Sequence, residues 1–361
     1  MGVKVAVAGA GIYGSSIAIR LAELGAQVTL YDPLGVMRAA SAINQYRVHR
    51  GYHYPRSPET IREVLESCDE FIAAFGDAIC GGTEHYYAMP FEGSRISPDA
   101  FETVMQEFGL PHETVCPAWM NFDFIERCWR VEEEIYDPDR LRVLIERRLR
   151  AAGVDLIANR FTAEAHDDYD SVIYATYGAS GSHAHLFPAV RFQVAEKILI
   201  ELPSHLRRRA VVAVDGPFTA FDPFGDGRYS MFGSARHTNH WETDDPEFEI
   251  PELYRAVLNG VAFEPVPFTN FEKMRLDCAK LIPAAAEARY LGSRFTLRVV
   301  ENDRTTDQRI LHIARPAENL FHVFSGKVVS AVKAARIISE MVLGTGQAFA
   351  PARGFDLESR L

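Results

Sequence analysis

The sequence predicts an α/β protein in which a parallel, helix-flanked sheet is interrupted by a block of antiparallel strands. Three observations predict it. A valine-rich run at 3–8 breaks into Gly9-Ala-Gly11-Ile12-Tyr13-Gly14, followed by a helix-compatible stretch at 15–24 and a second strand at 28–31. Strand-length runs at 197–202, 210–214, 218–221 and 229–233 are separated by the turn signals Asp215-Gly216 and Asp226-Gly227. A strand at 320–324 and an apolar pattern of helical period at 327–343 then bring α/β character back.

The opening strand, glycine turn and helix each have a physical job. Gly9 permits a tight turn, Gly11 lets a pyrophosphate approach the backbone, and Gly14 lets the helix lie close to the strand. The helix start offers unpaired N–H groups and a positive dipole end to phosphates. Asp32, 21 residues after Gly11, is placed to accept hydrogen bonds from a ribose diol. Strand, helix, second strand and acid in register point to a dinucleotide, without saying which.

A loop at 41–54 follows, dense in polar and aromatic residues: Arg47, His49, Arg50, Tyr52, His53 and Tyr54. So many polar groups together imply either a polar pocket or a surface loop. Ser57-Pro58-Glu59 then opens a helix to about residue 75, with Ser57 as N-cap and Pro at the first position. A strand at 85–89 and a helix at about 98–108 come next, and Asp137-Pro138 starts a further helix that ends at Gly153. Short strands at 155–158 and 161–166 precede an apolar run at 171–175 that ends in Thr176-Tyr177-Gly178.

Composition narrows the function classes. A chain of 361 residues, 47% of them hydrophobic, has material for two compact domains or one large body with an insertion. A formal net charge of −11 argues against nucleic acid or an anionic membrane as partner, and Arg207-Arg208-Arg209 reads as a solvated turn. Five cysteines with no C-x-x-C pair fit a reducing compartment. No apolar run reaches the ~18 residues of a membrane span, and a first strand at Val3 leaves no room for a signal peptide, so a cytoplasmic protein is expected. His237-x-x-His240 and His183-x-His185 lack further ligands at convincing spacing, so no metal is expected.

The opening fingerprint, the central Val-Ile-Tyr-Ala175-Thr176-Tyr-Gly178 segment, the loop Ala40-Ser41-x-x-Asn44-x-x-x-x-His49-x-Gly51 and the Ser325-Gly326-Lys327 turn together resemble the D-amino-acid oxidase / glycine oxidase / sarcosine oxidase superfamily of FAD-dependent oxidoreductases. The resemblance implies a discontinuous, Rossmann-like FAD-binding domain (1–84, 137–186 and 308–361) with an inserted antiparallel-sheet substrate domain (85–136 and 187–307). It implies FAD contacts from Gly9, Gly11, Ile12, Tyr13, Gly14, Asp32, Ser41, Asn44, Ala175, Thr176, Gly178, Ser325, Gly326 and Lys327. The last three are read as opening the final helix, where backbone N–H groups stabilise negative charge on a reduced flavin.

By the same resemblance His49 lies nearest the flavin, as a positioning group first and a proton acceptor second, with Arg47, His53 and Tyr54 beside it. Arg304 sits where the family has an Arg-Pro motif that grips a substrate carboxylate; here Thr305 follows it, and an ion pair with Glu301 or Asp303 is the alternative. Tyr229 is a candidate for the pocket wall. No lysine appears at 229–233, where sarcosine-oxidase-type relatives carry one, so oxidase and dehydrogenase both stay open. Cys278 and the loop histidines are candidate points for covalent FAD attachment.

The expected reaction is oxidation of a C–N bond in a small amino acid or secondary amine to an imine, with oxygen or another electron acceptor completing the cycle. C–O oxidation of a hydroxy acid or polyol phosphate is the alternative within flavoenzymes. A nicotinamide-dependent dehydrogenase, or a dinucleotide-binding protein without catalysis, is the alternative outside them.

Overall fold

The computed structural model describes residues 2–179, 185–303 and 305–344. Its central feature is a six-stranded sheet in the order His312–Ala317, Leu320–Phe324, Ser171–Tyr174, Lys4–Ala8, Gln27–Tyr31 and Asp155–Ile157. All neighbours pair in parallel except the first two strands in that order. Val5 pairs with both Val28 and Ser171, so the opening strand is flanked by chain from two distant stretches. Such a strand is covered on both faces, which is why it reads as a continuous apolar run rather than an alternating one.

Helices Ile12–Glu23 and Ala331–Leu343 share one apolar core with this sheet through Ile17, Leu21, Ala334 and Ile338. The two proline-led helices form where the sequence places them. In Pro58–Phe75 the Thr60 amide donates to Ser57 Oγ at 3.3 Å. In Pro138–Ala151 the amides of Asp139 and Arg140 donate to the Asp137 carboxylate at 2.9 and 3.0 Å.

The antiparallel block is built on two long strands, Val190–Glu201 and Arg289–Glu301, paired from Val190 opposite Glu301 to Glu201 opposite Arg289. The hairpin Thr219–Phe224/Tyr229–Ser234 and the strand Asn239–Thr243 complete it. Helix Phe271–Leu281 packs against this sheet, with Met274 and Cys278 in a core that also holds Ile198, Phe221 and Phe232.

Three expectations are corrected. Strand Arg209–Ala213 pairs in parallel with Glu84–Pro90, in a separate four-stranded sheet with Ile125–Val131 and His112–Thr114, instead of joining its sequence neighbours. Apolar alternation fixes which face of a strand is buried but not its partner. The strand expected at 161–166 is replaced by a 3-10 helix, Ala163–Asp168, because Ala-Glu-Ala-His-Asp-Asp has no β-branched residue and buries no side chain. The final helix starts at Ala331, so Ser325, Gly326 and Lys327 form the turn before it rather than its first turn. Among the described residues no helix is long and apolar enough to cross a membrane.

Candidate active site

The glycine turn is fixed by close backbone packing. Gly9 has φ +101°, and a Cβ there would stand 2.6 Å from the Ala175 carbonyl oxygen. A Cβ on Gly14 would stand 1.8 Å from the carbonyl oxygen of Gly9, so helix and turn meet only because both residues lack side chains. Asp32 fastens the turn: its carboxylate accepts from the amides of Ala10 (2.8 Å), Leu34 (2.8 Å) and Gly35 (3.1 Å). Ser41 Oγ accepts from the Ile12 amide at 2.9 Å, bringing the loop after the second strand onto the helix start. Gly11 is the N-cap and offers no side-chain cap, so later first-turn amides stay available to an anion. This cradle fits a dinucleotide pyrophosphate, with Ala175 against the turn.

The polar loop becomes a buried cluster. Rings of His49 and His53 lie 5.3 Å apart, and Tyr54 lies 5.8 Å from the first and 5.0 Å from the second. Lys327 joins them from the other end of the chain, its Nζ 3.6 Å from the centre of the Tyr54 ring. Tyr13 holds this turn to the first helix by donating its hydroxyl to the Lys327 carbonyl. Burial pushes the His49 imidazole down to about 4, with the Lys327 charge adding and Glu133 opposing. Burial also drives His53 and Lys327 well below their ordinary values. A neutral Lys327 removes the charge that helps hold His49 down, so burial is the cause common to all three. Nδ1 of His49 faces Glu133 Oε1 at 3.6 Å, whereas Nδ1 of His53 has no hydrogen-bond partner among the described residues, an arrangement that suits a polar group arriving from outside the chain.

Beneath the cluster lies an ion network. Arg47 Nη1 donates to Glu133 at 2.8 Å and its Nη2 pairs with Asp222; all three side chains are buried. The Glu133 carboxylate also accepts from Tyr87 Oη at 2.9 Å and from the Arg50 amide at 3.0 Å. Burial alone would raise the Glu133 carboxyl, but the adjoining His49, Arg47 and His85 hold it well below the usual range. Asp222 is raised by burial against the pull of Arg47. His85, at the edge of this network, is brought down to about 3 by burial and the Arg47 charge.

Next to His53 and Asp222 opens a cavity of about 430 Å³, walled by one face of the antiparallel sheet. Arg191, Gln193 and Lys197 stand an even number of residues apart on one strand and so share that face. Arg298 lies opposite Gln193 in register. Three of the cavity's cations are matched by acids: Arg56 with Asp215, Arg191 with Glu242 at 3.0 Å and Arg309 with Asp307 at 2.8 Å. Two are not. Arg298 donates only to neutral groups, Gln193 Oε1 and Asn239 Oδ1, both at 2.9 Å, and burial lowers it to about 10. Lys197, 5% exposed, has no carboxylate in ion-pair contact among the described residues. Burial and the Arg298 charge bring its amine down to about 7 against the pull of Asp222.

The sequence-named residues thus fall into groups. Gly9, Gly11, Ile12, Tyr13, Gly14, Asp32, Ser41 and Ala175 converge on the cradle, and His49, His53, Tyr54 and Lys327 on the cluster. Arg47 sits under that cluster as a buried strut. The Asn44 amide is spent on its own loop, donating to the Ser41 carbonyl at 3.0 Å while its oxygen accepts from the Tyr46 amide at 2.7 Å. Tyr229 is not brought to the cavity: it begins its strand beside the hairpin turn, whereas Gly233 and Ser234 at the other end line the wall. Arg304 lies outside the described residues. Cys278 is shut into the core between helix and antiparallel sheet. Lys197 and Arg298 were missed by sequence reasoning, because each sits in a strand with several other charged residues and nothing local singles it out.

A family model described as FAD dependent oxidoreductase (DAO) matches residues 4–341. The chain belongs to this family. FAD is its cofactor. Among curated proteins, this family member is similar to the FAD-dependent monooxygenase FPY4 of Fusarium mangiferae, at 24% identity over 90% of this chain and 87% of that one. It is also similar to the FAD-dependent monooxygenase kojA of Aspergillus flavus, at 26% identity over 94% of this chain and 85% of that one. Among solved structures it resembles glycine oxidase from Geobacillus kaustophilus, with TM-score 0.70, 13% identity and 97% of both chains covered. It also resembles NikD, described as an unusual amino acid oxidase essential for nikkomycin biosynthesis, with TM-score 0.69, 14% identity, and 96% and 95% coverage.

Proposed function

We propose that this FAD-dependent oxidoreductase oxidises the C–N bond of a small amino acid or secondary amine that carries a carboxylate. The observation that carries the reading is Arg298: a half-buried guanidinium in the cavity wall, bonded only to neutral groups. With two N–H groups engaged, it keeps three to hold a carboxylate, and a planar guanidinium does so through two parallel bonds. Bound FAD supplies the hydride acceptor. The amine reacts in its neutral form, its ammonium proton passing to solvent, and His49 and His53, neutral at physiological pH, position it. The resulting imine is released to water for hydrolysis. The glycine turn, Asp32 and Ser41 hold the adenosine and pyrophosphate end, and the Ser325–Lys327 turn holds the polar edge of the flavin ring. The split of the chain into an FAD-binding part at 1–84, 137–186 and 308–361 and a substrate part between belongs to the same proposal.

Anaerobic mixing of the yellow protein with amino acids, N-alkyl amino acids, hydroxy acids and polyol phosphates tests the reading. Bleaching by an amine acid is expected, and Arg298→Met should raise its half-saturating concentration about 100-fold or more. Bleaching by hydroxy acids alone would move the reading to C–O oxidation. Bleaching by a reduced nicotinamide but by no amine would overturn it in favour of the chemistry named for the fungal relatives.

A further inference from the structure

We propose that the substrate carries a second anionic group, and that Lys197 binds it. This rests on the reading of the cavity as an amine-acid site and specifies which amine acids enter it.

The charges in the wall lead there. Asp215, Glu242 and Asp307 are each consumed by an arginine of the same cavity. Asp222, the acid nearest in charge to Lys197, is consumed from behind by Arg47, which Glu133 shares. Two cations on adjacent strands, half-buried Arg298 and buried Lys197, have no acid in contact among the described residues. They start from different backbone positions. Arg298 is in register with Gln193, and Lys197 lies four residues further along that strand, which separates the two backbone positions by about 13 Å. A single carboxylate at Arg298 would leave Lys197 lining the cavity with no acid in contact among the described residues. A ligand with two anionic groups meets both.

The neighbouring surface supports a polar occupant. Gly233, next to Lys197 across the sheet, leaves its Cβ position to the amide of Gln45, at 2.1 Å, so this end of the cavity is faced by another hydrogen-bonding group. Arg191 likewise has a buried Nε with no partner among the described residues. Lys197 therefore selects by charge and distance rather than by apolar fit. It is assigned to recognition, in direct contact with substrate, and takes no part in bond breaking.

The test uses the holoenzyme and the visible spectrum of its flavin, which shifts when an anion fills the cavity without turnover. Butyrate is titrated against the unreactive dicarboxylates malonate, succinate, glutarate and adipate. The wild type should bind one dicarboxylate of the series at least about tenfold more tightly than butyrate, as expected for one added charge-assisted contact. Lys197→Met should abolish that preference while leaving butyrate within about twofold, Lys197→Arg should keep it, and Arg298→Met should weaken both ligand classes. No preference for any dicarboxylate in the wild type, or a preference that survives in Lys197→Met, overturns the inference. The reading beneath it fails differently: if the preference is present but neither monocarboxylic nor dicarboxylic amines bleach the flavin, the anion site stands and C–N oxidation does not.

Discussion

Replacing Arg47 by Met separates a structural strut from a catalytic group. Arg47 is 4% exposed, bonds Glu133 at 2.8 Å and pairs with Asp222. Its removal leaves two buried carboxylates facing each other with no cation between them. Removing one partner of a buried pair costs about 3–5 kcal/mol. Two orphaned acids do not double the figure, because Asp222, already raised in the presence of Arg47, takes up a proton and cancels its charge. A loss of about 4 kcal/mol follows, read as the difference in unfolding free energy from urea denaturation of the FAD-loaded proteins. The variant's pH dependence carries a sign. Orphaned carboxylates have folded-state values above their unfolded ones, so lowering the pH from 7 to 5 stabilises the variant relative to the wild type and narrows the gap. A variant within about 1 kcal/mol of the wild type, with turnover lost, would refute the strut and make Arg47 a substrate- or flavin-facing group.

Buried neutral histidines predict acid sensitivity in the wild type. His49 and His85 are lowered to about 4 and about 3, so each contributes stability that is present above the unfolded value near 6.5 and is lost as pH falls. Between pH 7 and 5 each should give up roughly 2 kcal/mol, and with His53 lowered as well, uptake of about three protons is expected on unfolding at pH 5; fewer than one would contradict the burial argument. Gly14→Ala drives a methyl into the Gly9 carbonyl oxygen, so the purified variant should lose most of its bound FAD, measured as the flavin-to-protein absorbance ratio. Ser41→Ala removes the acceptor for the Ile12 amide and should cost about 1 kcal/mol of stability in the same denaturation assay.

Local rules made much of this fold legible. The glycine turn, the Ser57 and Asp137 caps and the Asp226-Gly227 hairpin depend on residues within a few positions of one another, and they appear where the sequence places them. Partner choice does not obey such rules. Nothing near 209–213 tells that this strand pairs in parallel with one more than a hundred residues earlier. The same division runs through the site. The cradle is local and was readable, and so was the density of the 47–54 loop. The balance of charge in the cavity is not local, since Arg47 gains its role from Glu133 and Asp222, and Arg298 becomes notable only because no acid among the described residues bonds it. Lys197 was passed over because a lysine in a strand reads as solvent-facing until the sheet that covers it is known.

The order of strands in the parallel sheet also dictates a timetable of synthesis. Lys4–Ala8 is made about three hundred residues before Leu320–Phe324, yet the two are separated by a single strand, Ser171–Tyr174. While the ribosome adds the intervening chain, Ser171–Tyr174 has an edge with no neighbour, and the first helix has no Ala331–Leu343 to pack on. The carbonyl that anchors Tyr13 belongs to Lys327 and is added just as late. The glycine turn is thus laid down long before the chain that closes over it, and a ribosome stalled before residue 320 carries a nascent chain whose sheet still lacks a side.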